Sequence, residues 1–112
     1  MSPRNWLIRL EDIYDALERI TEYVADLDSS SWKNDRKTID AVIRNLEIIG
    51  EATNHIPEDI QSQNRDIPWH QMKGMRNILI HEYFGVDIEV LWRTVQEELP
   101  PLKDKIAILL DR

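Results

Sequence analysis

Trp6, Leu10, Ile13, Leu17, Ile20, Val24 and Leu27 recur at alternating steps of four and three residues. That period lines one face of an α-helix and is incompatible with a strand, where every second side chain shares a face. Ser2 and Pro3 suit the start of such a helix. The polar stretch DSSSWKND, residues 28–35, then interrupts the pattern and offers a cap for the next helix.

The second helix is expected over Arg36 to Ile56. Ile39, Val42, Ile43, Leu46, Ile49 and Ile56 make its core stripe, and Lys37, Asp40, Arg44, Glu47 and Glu51 make a polar one. Beside the polar stripe run Ala41, Asn45, Ile48 and Ala52, mostly small residues on which a second subunit could dock. Pro57 begins a short helical piece, and Gln61 to Asp66 reads as a loop. Pro68 is placed at the first position of a further helix, which Gly85 would end and after which Asp87 would cap the next. That next helix carries Ile88, Leu91, Trp92, Val95 and Leu99 and should stop at Pro100-Pro101, leaving a last amphipathic piece, Leu102 to Leu110. The expectation is one all-α domain over residues 1–112, an up-and-down helical bundle of four to five helices.

Composition narrows the function classes. The chain has no cysteine, which removes disulfides, thiolate metal sites and a cysteine nucleophile. The longest apolar run is IAILL near the C-terminus, far short of a membrane span, and the N-terminus is charged and periodic rather than signal-like. A cytoplasmic protein without a membrane partner is expected. Its net charge of −7 argues against indiscriminate nucleic-acid coating, which needs a basic surface. A focused positive pocket on an acidic body is compatible with that balance. His55, His70 and His81 fit no zinc-ligand spacing, and His81-Glu82 lacks the second histidine of an H-E-x-x-H site. Neither a metal nor a cofactor is expected. The acidic stripe Glu11, Asp15, Glu18 and Glu22 reads as a solvated face. Three of the four tryptophans lie on apolar stripes, and Trp32 is the exception, in a loop.

The segment MRNILIHEYFG, residues 75–85, is where chemistry enters. On an ideal helix Trp69, Met72, Leu79 and Ile80 share a broad apolar arc, widened by Met75 and Ile78, and Arg76 falls inside it. A guanidinium stays charged, so it must reach a carboxylate, a second subunit or a cleft. Glu47 and Glu51 on the second helix are the candidate carboxylates, and a purely structural Arg–Glu bridge is the plain alternative. His81 lies about 140° around from Arg76, whereas Tyr83 returns to within about 20° of it. Either the helix loosens before Gly85 or another subunit completes the site. A histidine near a helix end is also a favourable C-terminal charge with no further role. If the groups converge, histidine can pass a proton near neutral pH and arginine can hold a phosphate in a bidentate fork. Together they could cleave RNA without a metal, with the ribose 2′-hydroxyl as nucleophile.

Arg76 to Tyr83, R-N-I-L-I-H-E-Y, resembles the R-x4-H-x-Y signature of HepT-like toxins in the HEPN superfamily. Asn77 after the arginine fits the same pattern. RNLEIIGEA (44–52), IPW…GMRN (67–77), HEYFGVD (81–87) and LPPLK (99–103) extend the resemblance over nearly the whole chain. It implies a HEPN-like bundle that forms a homodimer, bringing two copies of the motif to one cleft. It further implies a metal-independent endoribonuclease acting on an RNA substrate as the toxin of a toxin–antitoxin pair. Its partner would be a minimal nucleotidyltransferase antitoxin, joined to it in a larger hetero-oligomer, that silences it by transferring AMP to the motif tyrosine. Carried over, Arg76 and His81 are catalytic, Tyr83 is the modified residue and Asn77 supports the site. Glu51 as a supporting partner follows from the helix faces alone. The competing reading is a non-catalytic HEPN-like binding subunit that docks such a nucleotidyltransferase.

Overall fold

The computed structural model describes the backbone of residues 3–81 and 87–112 and the side chains of residues 5–76 and 87–112. Among these residues every regular element is helical: α1 (Pro3–Val24), α2 (Ser29–Lys33), α3 (Arg36–Thr53), α4 (Glu58–Gln63), α5 (Trp69–His81), α6 (Ile88–Arg93) and α7 (Leu99–Leu109). A π turn, Thr94–Glu98, joins α6 to α7 without a break. The architecture is therefore four long helical rods and two short helices, in accord with the all-α expectation but one more helix than the four to five expected, because α2 folds within residues 28–35. No helix of the described residues is long and apolar enough to cross a membrane.

The start signals act where the sequence puts them. Asp35 accepts from the Thr38 backbone N–H and opens α3. Asp87 accepts from Glu89 N and Val90 N and opens α6. Pro57 is the N-cap residue of α4, and Pro68, expected at the first position of α5, stands one residue ahead of it, its carbonyl taking the Met72 N–H. Leu10, Ile13, Leu17, Ile20 and Val24 of α1 are buried, as are Ile39, Val42, Ile43, Leu46 and Ile49 of α3 and Ile56 beyond it. Each such side chain contributes roughly 1.5–3 kcal/mol on leaving water.

Three expectations give way. Residues 28–35 are more than a connection, because Asp28 and Ser31 form a reciprocal capping box that folds α2 and turns Trp32 inward. Trp32 is fully buried, donates its indole N–H to the Ile88 carbonyl at 3.0 Å and packs on Trp92 with ring centroids 5.3 Å apart. The C-terminal rod also runs straight through Pro100-Pro101. Leu99 donates to the Thr94 carbonyl, one residue further back than in an α-helix, and this wider turn accommodates two prolines that carry no N–H. The acidic face of α1 is only partly solvated, since Lys103 reaches Glu18 at 2.7 Å and Arg112 reaches Glu11 at 3.6 Å, both cations lying over Tyr14.

The order of packing positions everything that follows. α3 packs against both α1 and α5, the C-terminal rod lies against α1 through α7, and α2 holds α6. Among the described residues α1 and α5 make little contact with each other. Asn45 and Ala52 are buried within this one chain, whereas Ala41 and Ile48 are half-buried, so only part of the small-residue run on α3 is left as a contact surface.

Candidate active site

Because α1 and α5 flank α3 without closing on each other, a groove lies over α3. Its floor is Arg44, Glu47, Ile48, Glu51 and Ala52, its α1 wall is Arg9 and Asp12, and Arg76 of α5 stands on the other side, around a cleft of about 340 Å³. The floor follows from helical spacing, since residues 44, 47, 48 and 51 share a face. The polar stripe and the small-residue run seen in the sequence thus meet at one concave surface.

Arg76 occupies this groove through a close helix crossing. A Cβ built on Gly50 would lie 2.7 Å from both the Cβ and the backbone N of Arg76, so only glycine allows α3 and α5 this approach. The next residue, Glu51, then meets the arginine, Oε2 to Nη1 at 3.0 Å. Its other oxygen, Oε1, lies 3.5 Å from His55 Nε2 one helical turn on, an ion pair only when that imidazole is protonated. The Arg76 and Glu51 side chains remain 44% and 47% exposed. Exposed pairs contribute only about 0–1 kcal/mol to stability. This bridge orients Arg76 far more than it holds the fold together. A guanidinium has five N–H donors, and the Nη1 contact leaves it capacity for a phosphate as well.

A family model for ribonuclease HepT-like proteins matches residues 13–109. The chain belongs to the ribonuclease HepT-like family. A Thermococcus cleftensis protein named "Probable ribonuclease HepT" is 51% identical over 100 residues, covering 89% of this chain and 91% of that one. A relative from Methanocaldococcus jannaschii, named by inference as an RNase, is 40% identical over 109 residues, 97% of this chain and 100% of its own. Another from Caldanaerobacter subterraneus, named likewise, is 35% identical over 103 residues, 92% of each. No solved structure gave a significant match.

Within this HepT-like frame the structure joins two of the residues singled out in the sequence, Arg76 and Glu51. Glu47, the other candidate carboxylate, turns to Arg44 at 3.5 Å instead. The backbones of Asn77 and His81 belong to α5, whereas their side chains and the whole of Tyr83 lie outside the described residues. Gly50 and His55 were not legible as site residues. The one hint was a glycine in mid-helix, which costs about 0.5–1 kcal/mol relative to alanine and so calls for a reason. Nor is the groove of a single chain a simple positive spot, because Arg9, Arg44 and Arg76 face Asp12, Glu47 and Glu51.

Proposed function

We propose that this protein is a metal-independent endoribonuclease and the toxin of a toxin–antitoxin pair. Two subunits of a homodimer bring Arg76 and His81 together at one RNA-cleaving cleft. Arg76 holds the scissile phosphate and stabilises the charge that builds on it. The ribose 2′-oxygen attacks phosphorus while its proton passes to a base, and the P–O5′ bond breaks as the 5′-oxygen receives a proton. A 2′,3′-cyclic phosphate and a 5′-hydroxyl result. His81 of one subunit and His81 of the other supply the proton acceptor and the proton donor. Asn77 supports the site, and Glu51 orients Arg76 before substrate arrives. A nucleotidyltransferase antitoxin places AMP on Tyr83, and the added phosphodiester, which ideal-helix spacing would direct toward Arg76, repels the substrate phosphate.

The observation that carries this reading is the Arg76–Glu51 pair in an open groove. At 44% and 47% exposure the pair adds little to stability, so it orients the guanidinium and leaves it reachable. Membership of a ribonuclease family supplies the reaction class.

The test is RNA cleavage in EDTA by protein confirmed unmodified by mass spectrometry, beside folded Arg76→Ala and His81→Ala variants. Loss of a positioned acid–base group or of a transition-state donor costs on the order of 10²–10⁴ in rate. Chelator-resistant cleavage that falls by this much in both variants is expected. A folded wild type that leaves tRNA, rRNA and mRNA pools intact would instead indicate a non-catalytic binding subunit. Treatment with the nucleotidyltransferase and ATP should add AMP to Tyr83 and abolish cleavage, and AMP-bearing protein of full activity would sink the switch.

A further inference from the structure

The groove does not end at Arg76. A second cleft of about 370 Å³, lined by Asn5, Ile8, Arg9, Asp12 and His55, shares Arg9 and Asp12 with the first. Both volumes fall in the range of small-molecule sites, about 300–1,000 Å³. Arg9 stands at the junction, half-buried, and makes no ion pair or hydrogen bond among the described residues. Arg44 and Arg76, its neighbours in the groove, are each matched to a carboxylate on α3. A half-buried, unmatched guanidinium between two concavities is suited to an anion from outside the chain. Ile8, 51% exposed, adds an apolar surface, and Asp12 adds an acceptor for amino groups.

Resting on the ribonuclease reading, we propose that Arg9, Asp12 and Ile8 form a nucleotide subsite that holds the residue of single-stranded RNA next to the cleaved bond. Arg9 binds the flanking phosphate, the base lies against Ile8, and Asp12 accepts a hydrogen bond from an exocyclic amino group, selecting bases that carry one. Single-stranded RNA is read in this manner, by contacts to unstacked base edges and faces. All three residues lie on α1 ahead of Ile13, where the family model's match begins, and the subsite runs along that helix. It joins the Arg76 groove directly, and Glu51 links the two sides by touching both Arg76 and His55.

The test compares wild type, Arg9→Ala, Arg9→Lys and Asp12→Asn in cleavage of a single-stranded RNA library across a salt series, with cut sites sequenced and oligomeric state measured by light scattering. Arg9→Ala should raise KM about 5–10-fold on all sequences and reduce the salt slope by about 1, as for a lost phosphate contact. Its kcat should stay within about twofold, and Arg9→Lys should recover most of the KM. Asp12→Asn should relax base preference at one position beside the cut. An active wild type whose KM and salt slope are unaltered by Arg9→Ala overturns the subsite alone. So does an Arg9→Ala protein that loses activity only by changing its oligomeric state. A wild type that cleaves nothing overturns the ribonuclease reading, and the subsite with it.

Discussion

Glu51 divides its two carboxylate oxygens between Arg76, 3.0 Å away on a neighbouring helix, and His55, 3.5 Å away one turn along its own helical path. A single charge thus sets the direction of the motif arginine and links it to an imidazole at the far end of the groove. The carboxylate also faces the space where a phosphate would sit, so the pair must be weak enough to yield. Its exposure makes it so, since such a pair is worth about 0–1 kcal/mol and a bidentate arginine–phosphate contact is stronger.

Glu51→Gln keeps the shape and removes the charge. Thermal stability should change by less than about 1 kcal/mol, the value of an exposed pair. RNA cleavage should fall on the order of 10-fold, within the roughly 10²-fold loss that misplacing a catalytic group by 1 Å can cause. Melting curves and kcat/KM on the same samples check both parts, and a large stability loss with unaltered kinetics would make Glu51 a structural residue.

Gly50→Ala sets two effects against each other. Alanine gains about 0.8–1.0 kcal/mol in helix propensity. Its methyl would meet the Arg76 backbone nitrogen and Cβ at 2.7 Å, and the backbone cannot rotate aside as a side-chain tip would. Overpacking of this kind costs about 1–3 kcal/mol. A net loss in urea denaturation is expected, together with impaired cleavage, because α3 and α5 must part where Arg76 is held. Unaltered or increased stability would show that the helices can separate freely.

Trp32 anchors the start of α6, and with Asp87 it sets where the chain re-enters after the segment bearing Tyr83. Trp32→Ala should cost about 3–5 kcal/mol as a buried aromatic truncation. Trp32→Phe should cost less, keeping the contact with Trp92 but removing the indole donor from the Ile88 carbonyl. Urea midpoints of the two variants distinguish ring packing from hydrogen bonding.

Acid should destabilise the fold through three carboxylates. Ser31 hydrogen bonds hold Asp28 below its ordinary pKa, Thr38 hydrogen bonds do so for Asp35, and the Lys103 hydrogen bond and charge do so for Glu18. Each folded-state pKa lies below the unfolded one. Their stabilisation is therefore complete above the ordinary carboxylate range, about 3.9–4.3, and is lost as pH falls through it toward the folded values. Melting temperatures between pH 7 and pH 3 should drop at the acid end, and Asp28→Ala and Asp35→Ala should each flatten that drop. A pH profile as steep in both variants as in wild type would assign the acid loss to other groups.

Helical register, the α1 and α3 core stripes and the Asp87 cap could all be read along the chain, because periodicity and capping depend on residues within a turn or two. So could the R-x4-H-x-Y motif and the requirement that Arg76 find a partner. Glu51 was named as the supporting partner from the helix faces, but Glu47 lies on the same face of α3, and only the crossing at Gly50 brings α5 opposite Glu51 rather than Glu47. Trp32 sits in a polar stretch too short for a period, and its burial came from the capping box that turns it toward α6. The two prolines were expected to stop the helix that begins at Ile88 by a local rule that the π turn circumvents. The groove itself exists because α3 separates α1 from α5, which is a fact of inter-helix packing. Sequence spacing governs which side chains share a face, and tertiary packing alone determined which faces meet.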